Sequence, residues 1–360
     1  MQDTKIKIAL IGNSLSFGGA DKVHANLSVL FDNAGFKVHN IIIIDAVSYT
    51  YSGQLFNLGK FKNANNTFIN KINRLFKLRA YLKQNNFDFI IDFRTRLKPI
   101  QELFIACFIY NKNYILTVHS SNLKYYLPEN KIITKLILNQ IHSVVTVSKE
   151  IEDTIKELYN YKKVKTIYNP INFTENKINP LNYKFILAVG RMDLENTKQF
   201  DKLLILYKNS ILPKENVRLV FLGDGNNKEN LIKLSKELEI DDMTMFLGFK
   251  SDISAYYQHA LFTVLCSKFE GLPNALCESL GNNTPVVSFN CKTGPSEIIT
   301  HNYNGLLVEN QNFEKLTDAI NLLYNDSDLR KFCKSNSKQS VAKYSAENIK
   351  VEWLEYLKKK

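Results

Sequence analysis

Residues 261 to 280 read LFTVLCSKFEGLPNALCESL, and this stretch decides the fold of the second half of the chain. Leu261 to Cys266 form an apolar run of strand length, and a loop with glycine and proline follows. A helical pattern then begins near Pro273 or Asn274. Proline suits the first helical turn, because its missing N–H has no partner within the helix. A strand, a short loop and a helix in this order are typical of an α/β fold, in which the helix start offers backbone N–H groups to an anion.

The same alternation continues on both sides of this stretch. In the second half the sequence also predicts strands at Lys184–Val189, Val217–Leu222, Thr244–Leu247, Pro285–Phe289 and Gly305–Val308. In the first half it predicts strands at Ile6–Ile11, Phe36–Asp45, Phe87–Phe93, Tyr114–His119 and Ser143–Ser148, and helices at Ala20–Ala34, 66–86 and Pro99–Tyr110. Such alternation favours parallel sheets with helices on both faces.

A polar segment bracketed by prolines, Tyr168 to Asn182, separates the two halves and is typical of a linker. We therefore predict two Rossmann-like domains, 1–170 and 183–340, which face each other across a cleft. The remaining segment, 341–360, ends in a helix with a basic end, and we expect it to pack back on the first domain. Ligands of open α/β sheets bind at the carboxyl ends of the strands, so the site is expected there.

Composition narrows the class of protein. The 360 residues carry 47 Lys and Arg against 35 Asp and Glu, a net charge of +12 that favours anionic partners. No apolar run is long enough to span a membrane, and the N-terminus lacks the pattern of a signal peptide, which predicts a cytoplasmic protein. The five cysteines show no metal-binding spacing and are expected to be reduced, mostly in the core.

Two carboxylates flank the start of the predicted helix. Glu270 precedes this helix and Glu278 lies about one turn into it, so both can address one ligand. Carboxylates accept hydrogen bonds from paired hydroxyl groups, which sugars and ribose present. Taken singly, each residue is also compatible with an ordinary solvated position.

The seven-residue spacing between these carboxylates resembles the E-x7-E motif of the retaining glycosyltransferases of family 4, which have the GT-B fold. The resemblance covers nearly the whole chain. It rests on the order of short segments at 17–21 (FGGAD), 189–191 (VGR), 223–225 (GDG), 246–249 (FLGF), 270–273 (EGLP), 284–287 (TPVV), 294–299 (GPSEII) and 304–308 (NGLLV).

The resemblance implies a role for each matching residue. Arg191, after Gly190, and Lys198 are similar to the cationic pair that holds the donor diphosphate, and here their step is seven positions where many relatives have five. This longer step leaves Lys202 as an alternative to Lys198. Glu270 corresponds to the residue that meets the donor sugar. The other implied donor contacts are Glu278 at the ribose, Phe249 at the base, and Gly271, Leu272, Pro273 and Asn274 at the phosphates.

In the first half, Gly18 and Gly19 are implied to approach the diphosphate, and His119 to lie near the transferred sugar. The loop that holds these glycines is not the G-x-G-x-x-G of nicotinamide-binding folds. The implied reaction is transfer of a hexose or N-acetylhexosamine from a UDP-sugar to a glycan or a polyprenyl-phosphate-linked acceptor. Arg191, Lys198 and the helix amides would stabilise the leaving diphosphate, so no metal and no cofactor is expected.

The acceptor side is less specific. Residues 71–83 form a basic amphipathic helix pattern, which fits either a packed helix with a solvated face or a helix on an anionic membrane. Arg94, Arg96 and Lys98 follow a strand end, where they would meet an acceptor phosphate or stay surface charges. A GT-B epimerase or phosphorylase and a non-catalytic sugar-binding module are the rival interpretations. Nucleic-acid binding ranks last, since none of its motifs is present.

Overall fold

The computed structural model of the protein describes residues 6–16, 18–63, 67–110, 114–173 and 177–358. Contacts within the chain divide it into two compact units. The first unit comprises Met1–Pro170 together with Lys350–Lys360, and the second comprises Ile171–Ile349.

The first unit is built on a seven-stranded parallel sheet in the order β3-β2-β1-β4-β5-β6-β7. Its strands are β1 Lys7–Gly12, β2 Lys37–Ile42, β3 Gln54–Asn57, β4 Phe89–Asp92, β5 Tyr114–Val118, β6 Ser143–Thr146 and β7 Val164–Thr166. Its helices are α1 Gly19–Asn33, α2 Phe68–Asn85, α3 Pro99–Phe104, α4 Lys131–Gln140 and α5 Lys149–Tyr159. The central strands β1, β4 and β5 are almost wholly buried and apolar, as expected for a sheet covered on both faces.

The second unit repeats this architecture with a six-stranded parallel sheet in the order β10-β9-β8-β11-β12-β13. Its strands are β8 Phe185–Val189, β9 Arg218–Leu222, β10 Thr244–Phe246, β11 Thr263–Leu265, β12 Val286–Phe289 and β13 Gly305–Val308. Its helices are α6 Phe200–Asn209, α7 Lys228–Glu237, α8 Ser254–His259, α9 Asn274–Gly281, α10 Pro295–Ile298, α11 Phe313–Asn325, α12 Ser327–Ser340 and the start of α13 Ala346–Lys358.

Each sheet has one point at which the strand order reverses. In the first sheet this point lies between β1 and β4, and in the second it lies between β8 and β11. The loops that leave two such strands diverge to opposite sides, so a crevice opens at their carboxyl ends. The sequence segments singled out above, after Val189 and after Leu265, follow the two strands that flank the reversal in the second sheet.

The last residues of helix α13 belong to the first unit. Trp353 is 2% exposed, and its ring meets the edge of Phe31 at a centroid distance of 5.7 Å. The hydroxyl of Tyr356 forms a hydrogen bond with Ser143 on β6. Earlier in the same helix, the N–H of Ala346 donates to the carbonyl of Ile171 in the second unit, at 3.0 Å.

Every strand predicted from the sequence is present, with ends that differ by at most three residues. The sequence analysis missed β3 and β7, which are short and only partly buried, and helices α4 and α5. The helix predicted to end at Tyr110 is α-helical only to Phe104 and continues as a π-helical turn from Ile105 to Ile109. Four of the five cysteines are buried free thiols, as predicted, and Cys107 is exposed.

Arg94 and Arg96 are neither surface charges nor free to meet a phosphate, so both interpretations offered for them were wrong. Their exposed fractions are 4% and 2%. Arg94 binds the carboxylate of Asp92 at 2.9 Å and that of Glu102 at 3.0 Å, and Arg96 lies 3.4 Å from Asp92. Burial alone would raise the pKa of Asp92, but the two guanidinium groups hold that pKa below its usual value.

Candidate active site

The first part of the candidate site is the turn after β8. Gly190 follows the strand directly, and its N–H donates to the carbonyl of Leu222 at the end of β9. A Cβ at Gly190 would lie 3.1 Å from the side chain of Lys198, so glycine gives this lysine room. The neighbouring Gly223 has a φ of +134°, and a Cβ there would lie 2.0 Å from the Gly190 carbonyl oxygen. The two strand ends are therefore packed together through glycine.

The longer step between Arg191 and Lys198 is taken up by two turns. The N–H of Asn196 donates to Asp193, and the N–H of Gln199 donates to Asn196. Asn196 and Gln199 both adopt left-handed backbone conformations, with φ near +50°. These turns return the chain to Gly190, so Lys198 lies against it despite the two additional residues.

Lys198 meets Glu270, which comes from the loop after β11. The Lys198 Nζ and Glu270 Oε1 atoms are 2.5 Å apart, and the two side chains are 22% and 11% exposed. The backbone of Glu270 is fixed on both sides, because its N–H donates to Lys292 and its carbonyl accepts from the Thr293 hydroxyl at 2.5 Å. Lys202, the alternative cation, is exposed on α6.

Helix α9 begins at Asn274, with Pro273 at its N-cap position. Leu276, Cys277 and Leu280 bury one face of this helix in the core, which fixes its start. Gly271, Leu272 and Pro273 lead into it and are buried, while Asn274 is half-buried. The hydroxyl of Tyr257 donates to Glu278 Oε2 at 3.4 Å, and burial together with the Glu278 charge raises the pKa of this tyrosine. Glu278 is thus held as a hydrogen-bonded carboxylate.

The remaining residues implied for the donor are placed as follows. Arg191 is largely exposed, and its Nε donates to Asp193 Oδ2 at 2.7 Å. Phe249 is half-buried and follows Gly248, whose φ is +72°. The structure therefore brings Lys198, Glu270 and Gly190 into contact, whereas Arg191 and Glu278 bind Asp193 and Tyr257. The sequence analysis missed Asp193 and Tyr257 as partners of these two residues. The pairing of Arg191 with Asp193 could have been found, because an acidic residue two positions after an arginine is visible in the sequence.

In the first unit, the predicted glycines lie where a helix begins. Gly18 is the N-cap residue of α1 and Gly19 is its first residue, whereas Phe17 of the same motif lies outside the described residues. A Cβ at Gly18 would meet nothing closer than Asp21 Oδ2 at 3.5 Å, so neighbouring atoms do not require glycine there. Asp21 lies in the first turn and accepts a hydrogen bond from Ser14 at 2.5 Å. Its negative charge stabilises the helix start and disfavours an anion at the same amides.

His119 follows β5, and its ring contacts the rings of Phe93 at 5.6 Å and Tyr126 at 6.0 Å. Both ring nitrogens are buried, and neither has a hydrogen-bond partner in the part of the chain that the structure describes. Burial, followed by the charge of Arg96, lowers the pKa of His119 to about 3. The imidazole is therefore neutral at physiological pH, with one N–H available to donate.

The resemblance implies that His119 lies near the transferred sugar, so we predict that His119→Asn lowers kcat/KM of the implied transfer about five- to tenfold, the effect of losing one hydrogen bond to that sugar. Because the pKa of about 3 lies far below the working range, the shape of the pH profile between pH 5 and 8 should stay that of the native protein. A pH series of initial rates for both proteins checks this. Loss of an acidic limb in the variant would contradict a permanently neutral His119.

Among the described residues, no group of three or more His, Cys, Asp and Glu side chains is arranged to hold a metal ion. No helix in the described ranges is long and apolar enough to cross a membrane.

Comparison with known families identifies the class of protein. The model described as "Glycosyltransferase Family 4" matches residues 17–175, and the model "Glycosyl transferases group 1" matches residues 171–340. The first match covers the first unit from helix α1 to strand β7, without strand β1, and the second covers the β8–β11 site. The protein is a glycosyltransferase.

Relatives and solved structures agree along the whole chain. The amylovoran biosynthesis glycosyltransferase AmsD of Erwinia amylovora is 26% identical, and the alignment covers 98% of this chain and 99% of that protein. A second relative, from Campylobacter jejuni, is 28% identical, and the alignment covers 98% of this chain and 99% of that protein. It is named N-acetylgalactosamine-N,N'-diacetylbacillosaminyl-diphospho-undecaprenol 4-alpha-N-acetylgalactosaminyltransferase. A crystal structure of a S. aureus TarM mutant with UDP and alpha-GlcNAc-glycerol superposes with a TM-score of 0.80 at 16% identity, over 98% and 99% of the two chains. The chain belongs to glycosyltransferase family 4 and has the GT-B fold.

Proposed function

We propose that this protein transfers a hexose or N-acetylhexosamine, with retention of anomeric configuration, from a UDP-sugar to a glycan or lipid-linked acceptor in surface polysaccharide synthesis. The observation that carries the proposal is the contact between Lys198 and Glu270, 2.5 Å apart, at the strand-order reversal of the second sheet. In this proposal Lys198 is the cation for the diphosphate, and its neighbour Glu270 is the carboxylate for the sugar hydroxyls.

Breaking the bond between the anomeric carbon and the phosphate leaves negative charge on the diphosphate. Lys198, Arg191 and the N–H groups at the start of α9 supply positive potential for that charge. Each of the two cations pairs with a carboxylate in the structure, Lys198 with Glu270 and Arg191 with Asp193. The diphosphate therefore competes for the two cations, and the carboxylate of Glu270 is released to accept from sugar hydroxyls. Because protein cations supply the charge, we propose that transfer needs neither a metal nor a cofactor.

The donor and the acceptor are proposed from relatives and from charge. TarM was solved with UDP, and the Campylobacter relative is named for a diphospho-undecaprenol substrate. A lipid-linked acceptor would bring this protein to the cytoplasmic face of an anionic membrane, which suits its net charge of +12. On α2, Lys71, Lys77 and Lys83 are exposed, whereas Arg74 donates to the carbonyl of Leu58 at 3.1 Å.

The test is incubation of the purified protein with a panel of UDP- and GDP-sugars. We expect slow release of free UDP from one UDP-sugar, and Glu270→Ala should abolish that release while a bound donor still raises Tm. With an acceptor, NMR of the anomeric proton should show that the product keeps the donor's configuration. An epimerised donor without free UDP would support the epimerase instead. Tight donor binding without any turnover would support a non-catalytic module.

A further inference from the structure

One surface of the first unit combines exposed apolar side chains with lysines. Helix α3, the π-helical turn after it and helix α4 pack beside one another. We call their outer surface the α3–α4 face. It consists of the apolar residues Ile100, Phe104, Phe108, Ile132 and Leu136 and the basic residues Lys131 and Lys135. We include Leu97 and Lys98, directly before α3, and Lys124, in the turn whose Tyr125 carbonyl accepts from the Arg96 N–H.

The apolar residues of this face are turned outward at helical spacing. Ile100, Phe104 and Phe108 recur every four residues, so they form one stripe, and the rings of the two phenylalanines are 5.2 Å apart. Ile100 is 80% exposed and Phe108 is 57% exposed. On α4, Ile132 and Leu136 form a second stripe and are 73% and 46% exposed. Apolar side chains grouped in this way on a water-facing surface mark an interaction site.

The charges of the face decide which partner fits. Its four lysines are exposed. Among the described residues from Leu97 to Gln140 there are two acidic side chains: Glu102, buried against Arg94, and the exposed Glu129. A second copy of this chain would place two positive surfaces against each other, which costs free energy. A bilayer with anionic headgroups meets both requirements, because lysines reach the headgroups while phenylalanine and isoleucine enter the acyl boundary.

We propose that the α3–α4 face is the surface by which this protein lies on an anionic membrane, with Ile100 and Phe108 as its apolar anchors. The inference deepens the proposed function, since it gives a lipid-linked acceptor a place of contact, but its evidence does not depend on the reaction. It also differs from the sequence-based expectation, in which residues 71–83 of α2 were either a packed helix with a solvated face or the helix that contacts a membrane.

The test is co-sedimentation of the full chain with vesicles of phosphatidylcholine alone or mixed with equal parts of phosphatidylglycerol. We expect binding to the mixed vesicles only. Added salt should weaken this binding, because it screens the attraction between the lysines and the anionic headgroups. The double variant Ile100→Ser/Phe108→Ser should lower the partition coefficient by at least about tenfold. Lys131→Gln/Lys135→Gln should lower it by about fivefold per lysine. The matched control is Leu322→Ser/Phe332→Ser, whose apolar residues are 48% and 52% exposed in the second unit and should be neutral.

Cys107 can report directly on insertion of the α3–α4 face into the membrane, because it is the exposed cysteine and lies beside Phe108 in the π-helical turn. An environment-sensitive fluorophore on this thiol should shift to the blue with the mixed vesicles. The proposal is overturned if native protein stays unbound, or if Ile100→Ser/Phe108→Ser binds as tightly as native protein. It is equally overturned if Lys71→Gln/Lys77→Gln alone abolishes binding, or if the face variant changes only the oligomeric state. Vesicle binding without turnover of any UDP-sugar would instead overturn the proposed transferase reaction and leave this inference standing.

Discussion

Replacing Lys198 by methionine is expected to lower kcat/KM by two to three orders of magnitude, the usual effect of removing one charge-stabilising donor. Methionine keeps most of the side-chain volume beside Gly190 but removes the charge that we propose faces the leaving diphosphate. The pair with Glu270 is partly open to solvent, so its loss changes stability by about 1 kcal/mol or less. The measurement is UDP release at varied donor concentration, with Tm as the check on folding.

Lys202→Met is the matched control, because Lys202 is four residues away and exposed on α6. Its kcat/KM should stay within about twofold of the native value, as is usual for surface substitutions. The reverse result, a large loss for Lys202→Met and none for Lys198→Met, would assign the diphosphate to Lys202 and remove the main support for the site.

Replacing Asp92 by asparagine is expected to destabilise the first unit by about 3–5 kcal/mol. Asp92 is fully buried and accepts from Arg94 Nε at 3.1 Å and from the Tyr110 hydroxyl at 3.2 Å, besides its ion pairs. Asparagine leaves two buried guanidinium groups with Glu102 as the remaining carboxylate. Because Arg94 and Arg96 lower the pKa of Asp92, its contribution is present above the ordinary carboxyl pKa and is lost as the pH falls through the lowered value.

The chain offers a selective probe for this experiment. Its one tryptophan, Trp353, is buried against Phe31 in the first unit, so tryptophan fluorescence in urea follows that unit. The control is Asp153→Asn, which removes an exposed ion pair to Lys149 and should cost less than about 1 kcal/mol. Equal urea midpoints for Asp92→Asn and native protein would show that the buried network adds nothing to stability.

The sequence was sufficient for the architecture because the central strands are buried on both faces and are therefore rich in apolar residues. Apolar composition did not reveal β3 and β7, because their residues are partly exposed and mixed in composition. Composition also did not reveal that Arg94 and Arg96 are buried. Their burial depends on Asp92 and Glu102, and nothing in the local pattern shows that these four charges neutralise one another.

The candidate site was predictable in part. Glu270 and Glu278 were found from spacing, and Lys198 was named despite a longer step from Arg191. The contact of Lys198 with Glu270 depends on two left-handed residues, Asn196 and Gln199, that fold the intervening loop. Asparagine tolerates this conformation, but glutamine gives no such signal, so the loop geometry required the structure.

The assignment of Lys350–Lys360 to the first unit bears on how this protein is made. A ribosome completes the whole second unit before it reaches Trp353. Until then the nascent first unit lacks the side chain that packs on Phe31. During this time the apolar surface around Phe31 that Trp353 covers stays exposed to water, where chaperones or neighbouring nascent chains can bind it. A chain whose synthesis ends within residues 171–349 would therefore have an incomplete first unit that is prone to aggregation.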